Sequence, residues 1–138
     1  MSFSLSSFDS EELTCFEIIK ATYALSDNEL EVLMCIRHSQ PTDIMSIVNV
    51  IHKDRATITR SIQRLTGIGF VKKTRISLEK GGRKYLYSSL SIEEIKSKLK
   101  ELIKRITERM DSTIDNLTEE KCQSMYYEVV QKYSTKQK

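Results

Sequence analysis

The chain has 138 residues, and its 39% hydrophobic and 30% charged residues are typical of a soluble globular protein with a real core. No apolar run approaches the roughly 20 residues needed to cross a bilayer, and the N-terminus lacks the basic start and apolar block of a secretion signal. We therefore expect a cytoplasmic protein with no membrane partner.

The net charge of +3 is unevenly distributed along the chain. Residues 1–52 have a net charge of −6, residues 53–88 one of +8, and residues 89–138 one of +1. Ten of the 22 basic residues thus lie in the middle segment, beside only two acids. Such a concentration predicts a surface that binds nucleic acid.

Neither the cysteines nor the histidines indicate a catalytic or metal site. Cys15, Cys35 and Cys122 are far apart and odd in number, which excludes a closed disulfide framework and favours small buried thiols over a redox sensor. His38 and His52 are not at a metal-ligand spacing with each other or with the cysteines. Phosphate-binding, nucleophile-elbow and zinc-protease motifs are absent. We expect no enzyme activity, no catalytic residue, no metal and no cofactor.

Capping signals mark the predicted helix starts, where an acceptor side chain is followed three residues later by Glu. These signals are Asp9 with Glu12, Ser26 with Glu29, and Ser91 with Glu94, with Thr118 as a fourth start. Apolar residues at helical spacing predict the first four helices over about 10–23, about 27–38, from Pro41-Thr42 to 51, and over 54–67. The first helix is predicted to bury Leu13, Phe16, either Ile19 or the aliphatic stem of Lys20, and Tyr23.

The period then changes from helical to extended. Residues 71–78 and 84–90 are β-prone runs, and the Gly81-Gly82 pair between them supplies the positive φ angles of a two-residue hairpin turn. Helices followed by a basic hairpin are the element order of a winged helix.

From Ser91 a long helix is predicted to about Leu117, and its early apolar residues follow a heptad spacing that favours a partner helix. A last helix, over about 119–133, is predicted to bury Cys122, Met125, Tyr126, Val129, Val130 and Tyr133. The residues predicted to join two copies are Ile92, Ile95, Leu99, Leu102, Ile106, Met110 and Ile114.

The predicted fold is mainly α with a small β-hairpin wing: a winged helix-turn-helix plus a long C-terminal dimerisation helix. We expect a single domain over 1–138. Within it, 25–90 is the DNA-binding region and 91–138 supplies the dimerisation helices, with help from an N-terminal helix at 8–24.

Helix 54–67 has the composition of a helix that reads DNA. Base edges in the major groove form hydrogen bonds with Arg, Gln and Thr, and this helix has no acid after Asp54. The hairpin tip, 80–84, is placed to reach a neighbouring backbone or minor groove, whereas Tyr85 and Tyr87 are expected to cover the core edge. The predicted DNA contacts are Thr42, Ser46, Lys53, Arg55, Thr57, Thr59, Arg60, Gln63, Arg64, Lys72, Lys73, Arg75, Lys80, Arg83 and Lys84.

Two stretches resemble the winged-helix domains of TrmB-like and MarR-like regulators: Leu25-Ser26-Asp27-Asn28-Glu29 through Leu33, and Asp54 to Ile62 continuing through Gly69-Phe70-Val71. Residues 82–87 followed by 91–95 look more TrmB-like, a group common in archaea. The resemblance covers roughly 20–105 and implies a homodimer that reads a pseudo-palindrome, with 54–67 as recognition helix.

Three features depart from these families. The turn at 49–53 lacks the usual glycine, and the acid-and-arginine signature of MarR wings is absent. The chain also stops where many TrmB-like proteins continue into a sugar-binding domain. A sugar effector is therefore not expected, and no polar cluster defines another small-molecule effector.

The predicted function is that of a sequence-specific regulator of transcription that binds double-stranded DNA as a homodimer. The alternative is a winged-helix module that docks on the transcription machinery without specific DNA readout. The middle segment disfavours this alternative, because the cores of protein interfaces are depleted of lysine. RNA binding is a weaker alternative, because Phe70 is the only aromatic residue in 53–84 that could stack on a base.

Overall fold

A computed structural model describes residues 4–135 of the chain, apart from the side chain of Thr135. After a short 3-10 helix (Leu5–Phe8), the elements are helices α1 (Cys15–Tyr23), α2 (Asp27–Ser39), α3 (Ile44–Ile51) and α4 (Arg55–Gly67), strands β1 (Val71–Ser77) and β2 (Arg83–Ser89), and helices α5 (Ile92–Ile114) and α6 (Glu119–Thr135). The predicted fold class, mainly helical with a two-stranded wing, is confirmed. None of the described helices is both long and apolar enough to span a membrane.

The chain divides into two compact units, one ending at Leu99 and the other beginning at Lys100. The division therefore falls inside α5, whereas the sequence placed the start of the C-terminal region at 91.

The core of the first unit packs the inner faces of α2, α3 and α4 against the base of the wing. Phe70 is fully buried and meets Tyr23 edge to face, with 5.0 Å between the ring centroids. Apolar residues three or four positions apart place one face of each helix in this core. The largest fully buried side chains are Phe70, Leu33, Ile36, Ile47, Ile58, Leu65 and Val32.

The first helix begins later than predicted. Thr14, and not Asp9, is its N-cap, because the Thr14 hydroxyl accepts a hydrogen bond from the backbone N–H of Glu17 at 3.2 Å. Thr14 and Glu17 form a Thr-x-x-Glu pair of their own, which competes with the signal at Asp9. Phe16, predicted to be buried, is 48% exposed.

Helix α3 also begins later than predicted, because Thr42 lies in a β-bridge. Its N–H donates to the carbonyl of Tyr87 at 3.0 Å, and the N–H of Tyr87 donates to the carbonyl of Thr42 at 2.8 Å. Asp43 is the N-cap instead, accepting from the N–H of Ser46 at 2.8 Å. Thr42 is buried, so we withdraw its predicted contact with DNA.

The wing is an antiparallel pair in which Val71 lies opposite Ser89. Residues 78–82 connect the strands, a longer connection than the two-residue turn that the sequence predicted. Gly81 and Gly82 have the predicted positive φ angles, 85° and 92°, but they lie at the end of the connection and not at its centre.

Helix α5 ends at Ile114, before its predicted end at Leu117. Two of its predicted dimerisation residues are already covered by the first unit: Ile95 is 5% exposed, and Leu99 packs against the core cluster. We therefore withdraw Ile95 and Leu99 as contacts between copies. Ile92, Ile106, Met110 and Ile114 are exposed, and Leu102 is half-buried.

Helix α6 contradicts its predicted burial. Apart from the half-buried Leu102, every side chain described from residue 100 to residue 134 is exposed. Two of the three cysteines, Cys15 and Cys122, are exposed as well, so only Cys35 approaches the buried thiol that was predicted for all three. The exposed apolar side chains of α6 are Met125, Tyr126, Tyr127, Val129, Val130 and Tyr133.

Candidate nucleic-acid interface

The buried stripe of α4 determines which of its side chains face solvent. That stripe consists of Ile58, Ser61, Ile62 and Leu65. At about 100° per residue, the opposite face is centred on Ala56, Arg60 and Gln63, all of which are exposed. The Arg60 Nη2 donates to Thr57 Oγ1 at 3.4 Å. Ala56 was not among the predicted contacts.

Asp54 begins α4 as predicted. Its carboxylate accepts a hydrogen bond from the N–H of Thr57 at 2.7 Å, which satisfies one of the free donors in the first turn. Gly67 is the last residue of the helix, and Gly69 follows with a φ of 88°, so the chain turns sharply into the wing.

Two clefts separate α4 from the wing and bring predicted contacts of both elements together. Of the predicted contacts on the helix, Arg55 lines one cleft, and Thr59 and Gln63 line the other. The Thr59 hydroxyl donates to the carbonyl of Arg55 at 2.8 Å, so its donor is used within the helix. The first cleft is lined by Asp43, Ile44, Met45, Arg55, Arg83, Lys84, Tyr85 and Tyr87. The second is lined by Thr59, Ile62, Gln63, Thr66, Lys73 and Tyr87.

Strand alternation divides the bases of the wing between its two faces. Lys73 and Arg75 share a face with Tyr85, whereas Lys72 lies on the other face. The Lys73 Nζ lies 4.0 Å from the centroid of the Tyr85 ring, within the range of a cation–π contact. Tyr87 is buried and covers the core edge as predicted, but Tyr85 is 41% exposed.

Arg64 lies one turn from Arg60 on α4, but its guanidinium group is bound by acceptors of its own chain. Its Nε lies 3.3 Å from Glu29 Oε2, and its Nη2 donates to the carbonyl oxygens of Tyr23 and Ala24 at the end of α1. A guanidinium with three acceptors in its own chain makes a structural contact. We therefore withdraw Arg64 from the predicted DNA contacts.

Lys84 also has a partner within the chain. Its Nζ lies 2.8 Å from Asp43 Oδ2. The hydrogen bond from Lys84, together with that from the Ser46 N–H, lowers the pKa of Asp43 to about 2. The sequence analysis missed Asp43, although an aspartate directly before the apolar stripe of α3 is an N-cap signal.

The remaining basic residues of segment 53–88 form an exposed cationic surface. Within residues 4–135, carboxylate partners are seen for only Arg64 and Lys84 among the ten bases of this segment. Ser46 is exposed in the first turn of α3, and Thr57 and Thr59 are half-buried. We call the following eight side chains the basic surface: Lys53, Arg55, Arg60, Lys72, Lys73, Arg75, Lys80 and Arg83.

Comparison with known proteins identifies the type of fold. Residues 25–77 match the model of the MarR family. The chain is 25% identical over 114 residues to the uncharacterized protein MJ1503 of Methanocaldococcus jannaschii, covering 83% of this chain and 86% of that protein. It is 27% identical over 119 residues to the uncharacterized HTH-type transcriptional regulator YhjH of Bacillus subtilis, covering 84% of this chain and 66% of that protein.

Solved structures share the fold at low sequence identity. A possible transcriptional regulator from Methanosarcina mazei superposes with a TM-score of 0.66 at 19% identity, covering 83% of this chain and 93% of that chain. The ST1889 protein of Sulfolobus tokodaii superposes with a TM-score of 0.56 at 22% identity, covering 78% of this chain and 99% of that chain. MarR, one of the two families suggested by the residues, is thus the family whose model residues 25–77 resemble, and the chain has the winged helix-turn-helix fold.

Proposed function

We propose that this chain is a sequence-specific, double-stranded DNA-binding regulator of transcription, with α4 in the major groove and the wing on the adjacent backbone or minor groove. The observation that carries the proposal is the basic surface, which combines the outer face of α4 with the wing. The names of the Bacillus relative and of the Methanosarcina structure, a transcriptional regulator and a possible one, support the same role.

The two parts of the basic surface suit different kinds of contact. Arg60 and Gln63 project from the middle of the exposed helical face, and their side chains form hydrogen bonds with guanine and adenine edges in the major groove. The lysines and arginines of the wing suit phosphate contacts, which fix register and supply salt-dependent affinity without reading sequence.

The second unit supports a homodimer. Its helices expose a series of apolar side chains that the chain itself leaves uncovered, and soluble proteins rarely leave large contiguous apolar surfaces free. Two copies related by a twofold axis would cover these surfaces and place two α4 helices in successive major grooves, about one helical turn apart. On the α5 side the proposed contacts are Ile92, Leu102, Ile106, Met110 and Ile114.

A salt titration tests the DNA-binding role. The purified protein is titrated onto labelled random duplex DNA and onto the region upstream of its own gene, from about 50 to 300 mM salt. We expect tight, site-selective binding with a log–log salt slope of several, because each neutralised phosphate contributes about 0.9 to that slope. Weak and unselective binding at physiological salt would contradict the proposal and would favour docking on an acidic protein partner instead.

A further inference from the structure

The wing is attached to the segment before α3 at three points along β2. At the base, the N–H of Ser89 donates to Gln40 Oε1 at 2.8 Å. The reciprocal backbone bridge between Tyr87 and Thr42 comes next. The Lys84–Asp43 ion pair is the third attachment and the one nearest to the wing tip.

The third attachment differs from the other two in where it acts. Lys84 lies three residues beyond Tyr87, or about 10 Å further along the strand. The first two attachments remain if the ion pair is lost, so the base of the wing stays in place. The outer part, which carries Arg75, Lys80 and Arg83, then loses its one described ionic link to the helices.

Asp43 is well suited to hold the wing because it is itself fixed. One carboxylate oxygen caps α3 through the N–H of Ser46, and the other receives the ammonium group of Lys84. The first cleft beside α4 is lined by both residues and by Arg55 and Arg83. A change at Asp43 therefore affects the cleft in which the basic side chains of the helix and of the wing approach each other.

We propose that Asp43 and Lys84 are a positioning pair that holds the outer wing in the orientation needed for its bases to reach DNA phosphates. This inference rests on the proposed DNA-binding function. It assigns Lys84 a structural contact in place of the phosphate contact that its charge suggested, and it makes an acidic residue beside the basic surface favourable for DNA binding.

Electrostatics alone predicts the opposite sign for Asp43. Removing a carboxylate next to a phosphate-binding surface should tighten DNA binding, and removing a lysine that contacts phosphate should lower the salt slope by about 0.9. A positioning pair predicts weaker binding from either change, and no further loss when both changes are combined, since one interaction is removed only once.

The experiment measures DNA affinity and salt slope for Asp43→Asn, Lys84→Gln, the double variant and Lys84→Arg. Asn caps helices about as well as Asp, so Asp43→Asn removes the charge and keeps the cap of α3. Asp54→Asn is the matched control, because it makes the same change at the N-cap of α4, where no lysine partner is described. Thermal unfolding of each variant verifies that it is folded.

We expect both single variants and the double variant to bind about threefold to tenfold more weakly than the wild type. Lys84→Gln should keep the wild-type salt slope, Lys84→Arg should restore affinity, and Asp54→Asn should bind as well as the wild type or better. Any of three results would overturn the positioning role of Asp43 and Lys84: tighter binding by Asp43→Asn, additive losses in the double variant, or a salt slope lowered by about 0.9 in Lys84→Gln. Failure of the wild type to bind DNA would overturn the proposed function as well, so the two failures are distinguishable.

Discussion

Arg64 and Glu29 join α4 to the start of α2: the arginine Nε lies 3.3 Å from Glu29 Oε2, and the glutamate side chain is only 15% exposed. Glu29 also accepts the N–H of Ser26 at 2.9 Å in the capping box of α2, so one carboxylate serves two elements. Arg60, one turn earlier on α4, is also exposed, and its described hydrogen bond is with the neighbouring Thr57. Two arginines at helical spacing therefore have different roles.

This difference predicts effects of unequal size on stability for two alanine substitutions. Arg64→Ala should lower the free energy of unfolding by about 1 kcal/mol, the effect of charged hydrogen bonds discounted for partial exposure. Arg60→Ala should change that free energy by less than about 0.5 kcal/mol, as is usual for exposed positions. Urea denaturation measures both. Equal stabilities of the two variants would contradict the structural role of Arg64.

Ala24 offers a route to a more stable protein. It ends α1 in the left-handed region, with φ 54° and ψ 45°, where an L-residue is disfavoured by about 1–2 kcal/mol. Ala24→Gly removes that strain and loses part of the gain to the greater freedom of the unfolded chain. We expect a net stabilisation of about 0.5–1 kcal/mol.

Ala21→Gly is the matched control, because Ala21 lies inside the same helix. Glycine there should destabilise the protein by about 1 kcal/mol. Thermal or urea unfolding of both variants should therefore give shifts of opposite sign. A loss of stability in Ala24→Gly comparable to that in Ala21→Gly would contradict the left-handed conformation of residue 24.

The Asp43 carboxyl predicts how acid affects stability. Its pKa is lowered to about 2 in the folded protein, first by the hydrogen bond from Lys84 and then by that from Ser46, against an ordinary value near 4 in the unfolded chain. The stabilisation it contributes is therefore complete above about pH 4 and is lost as the pH falls towards about 2. Asp43→Asn should be less stable than the wild type at pH 7, and the difference should shrink between about pH 4 and pH 2. A difference that stays constant from pH 7 to pH 2 would show that the Asp43–Lys84 pair does not form.

The exposed apolar face of α5 allows the proposed homodimer to be tested. Met110 and Ile114 are 43% and 67% exposed in the single chain. Introducing lysine at both positions should shift sedimentation equilibrium towards the monomer, since a charge at an apolar contact must be desolvated. Lys104→Ala is the control, because Lys104 lies about 150° around the helix from the middle of the apolar face. A double variant that sediments like the wild type would exclude this face as the dimer contact.

Capping signals in the sequence predicted where some helices begin, because the cap is formed by neighbouring residues. The capping box at Ser26 and Glu29 and the N-cap at Asp54 are formed by neighbouring residues, and α2 and α4 begin where the sequence places them. The missing glycine of the helix-turn-helix turn has a local explanation too: His52 adopts φ 62° at the end of α3 and fills that role. Histidine is one of the few residues enriched in this conformation.

Partners distant in sequence could not be predicted in the same way. Thr42 pairs with Tyr87 and Arg64 with Glu29, and composition or spacing around each residue gives no sign of the other. The same holds for Lys84, which its charge assigned to DNA before its contact with Asp43 was known. The exposed face of α4 could thus be predicted from its apolar period, whereas the structure was required to show that Arg64 contacts Glu29 and the end of α1.

Sequence readout by the outer face of α4 is tested most directly by measuring two affinities, one for a selected upstream site and one for random duplex DNA. The ratio of the two affinities is compared among the wild type, Arg60→Ala and Arg83→Ala. We expect Arg60→Ala to reduce this ratio by about tenfold or more, the usual effect of losing one good base contact. Arg83→Ala should weaken binding to both duplexes alike and lower the salt slope by about 0.9. An unchanged ratio in a folded Arg60→Ala variant would contradict the account, because α4 would then not be reading the sequence through this residue.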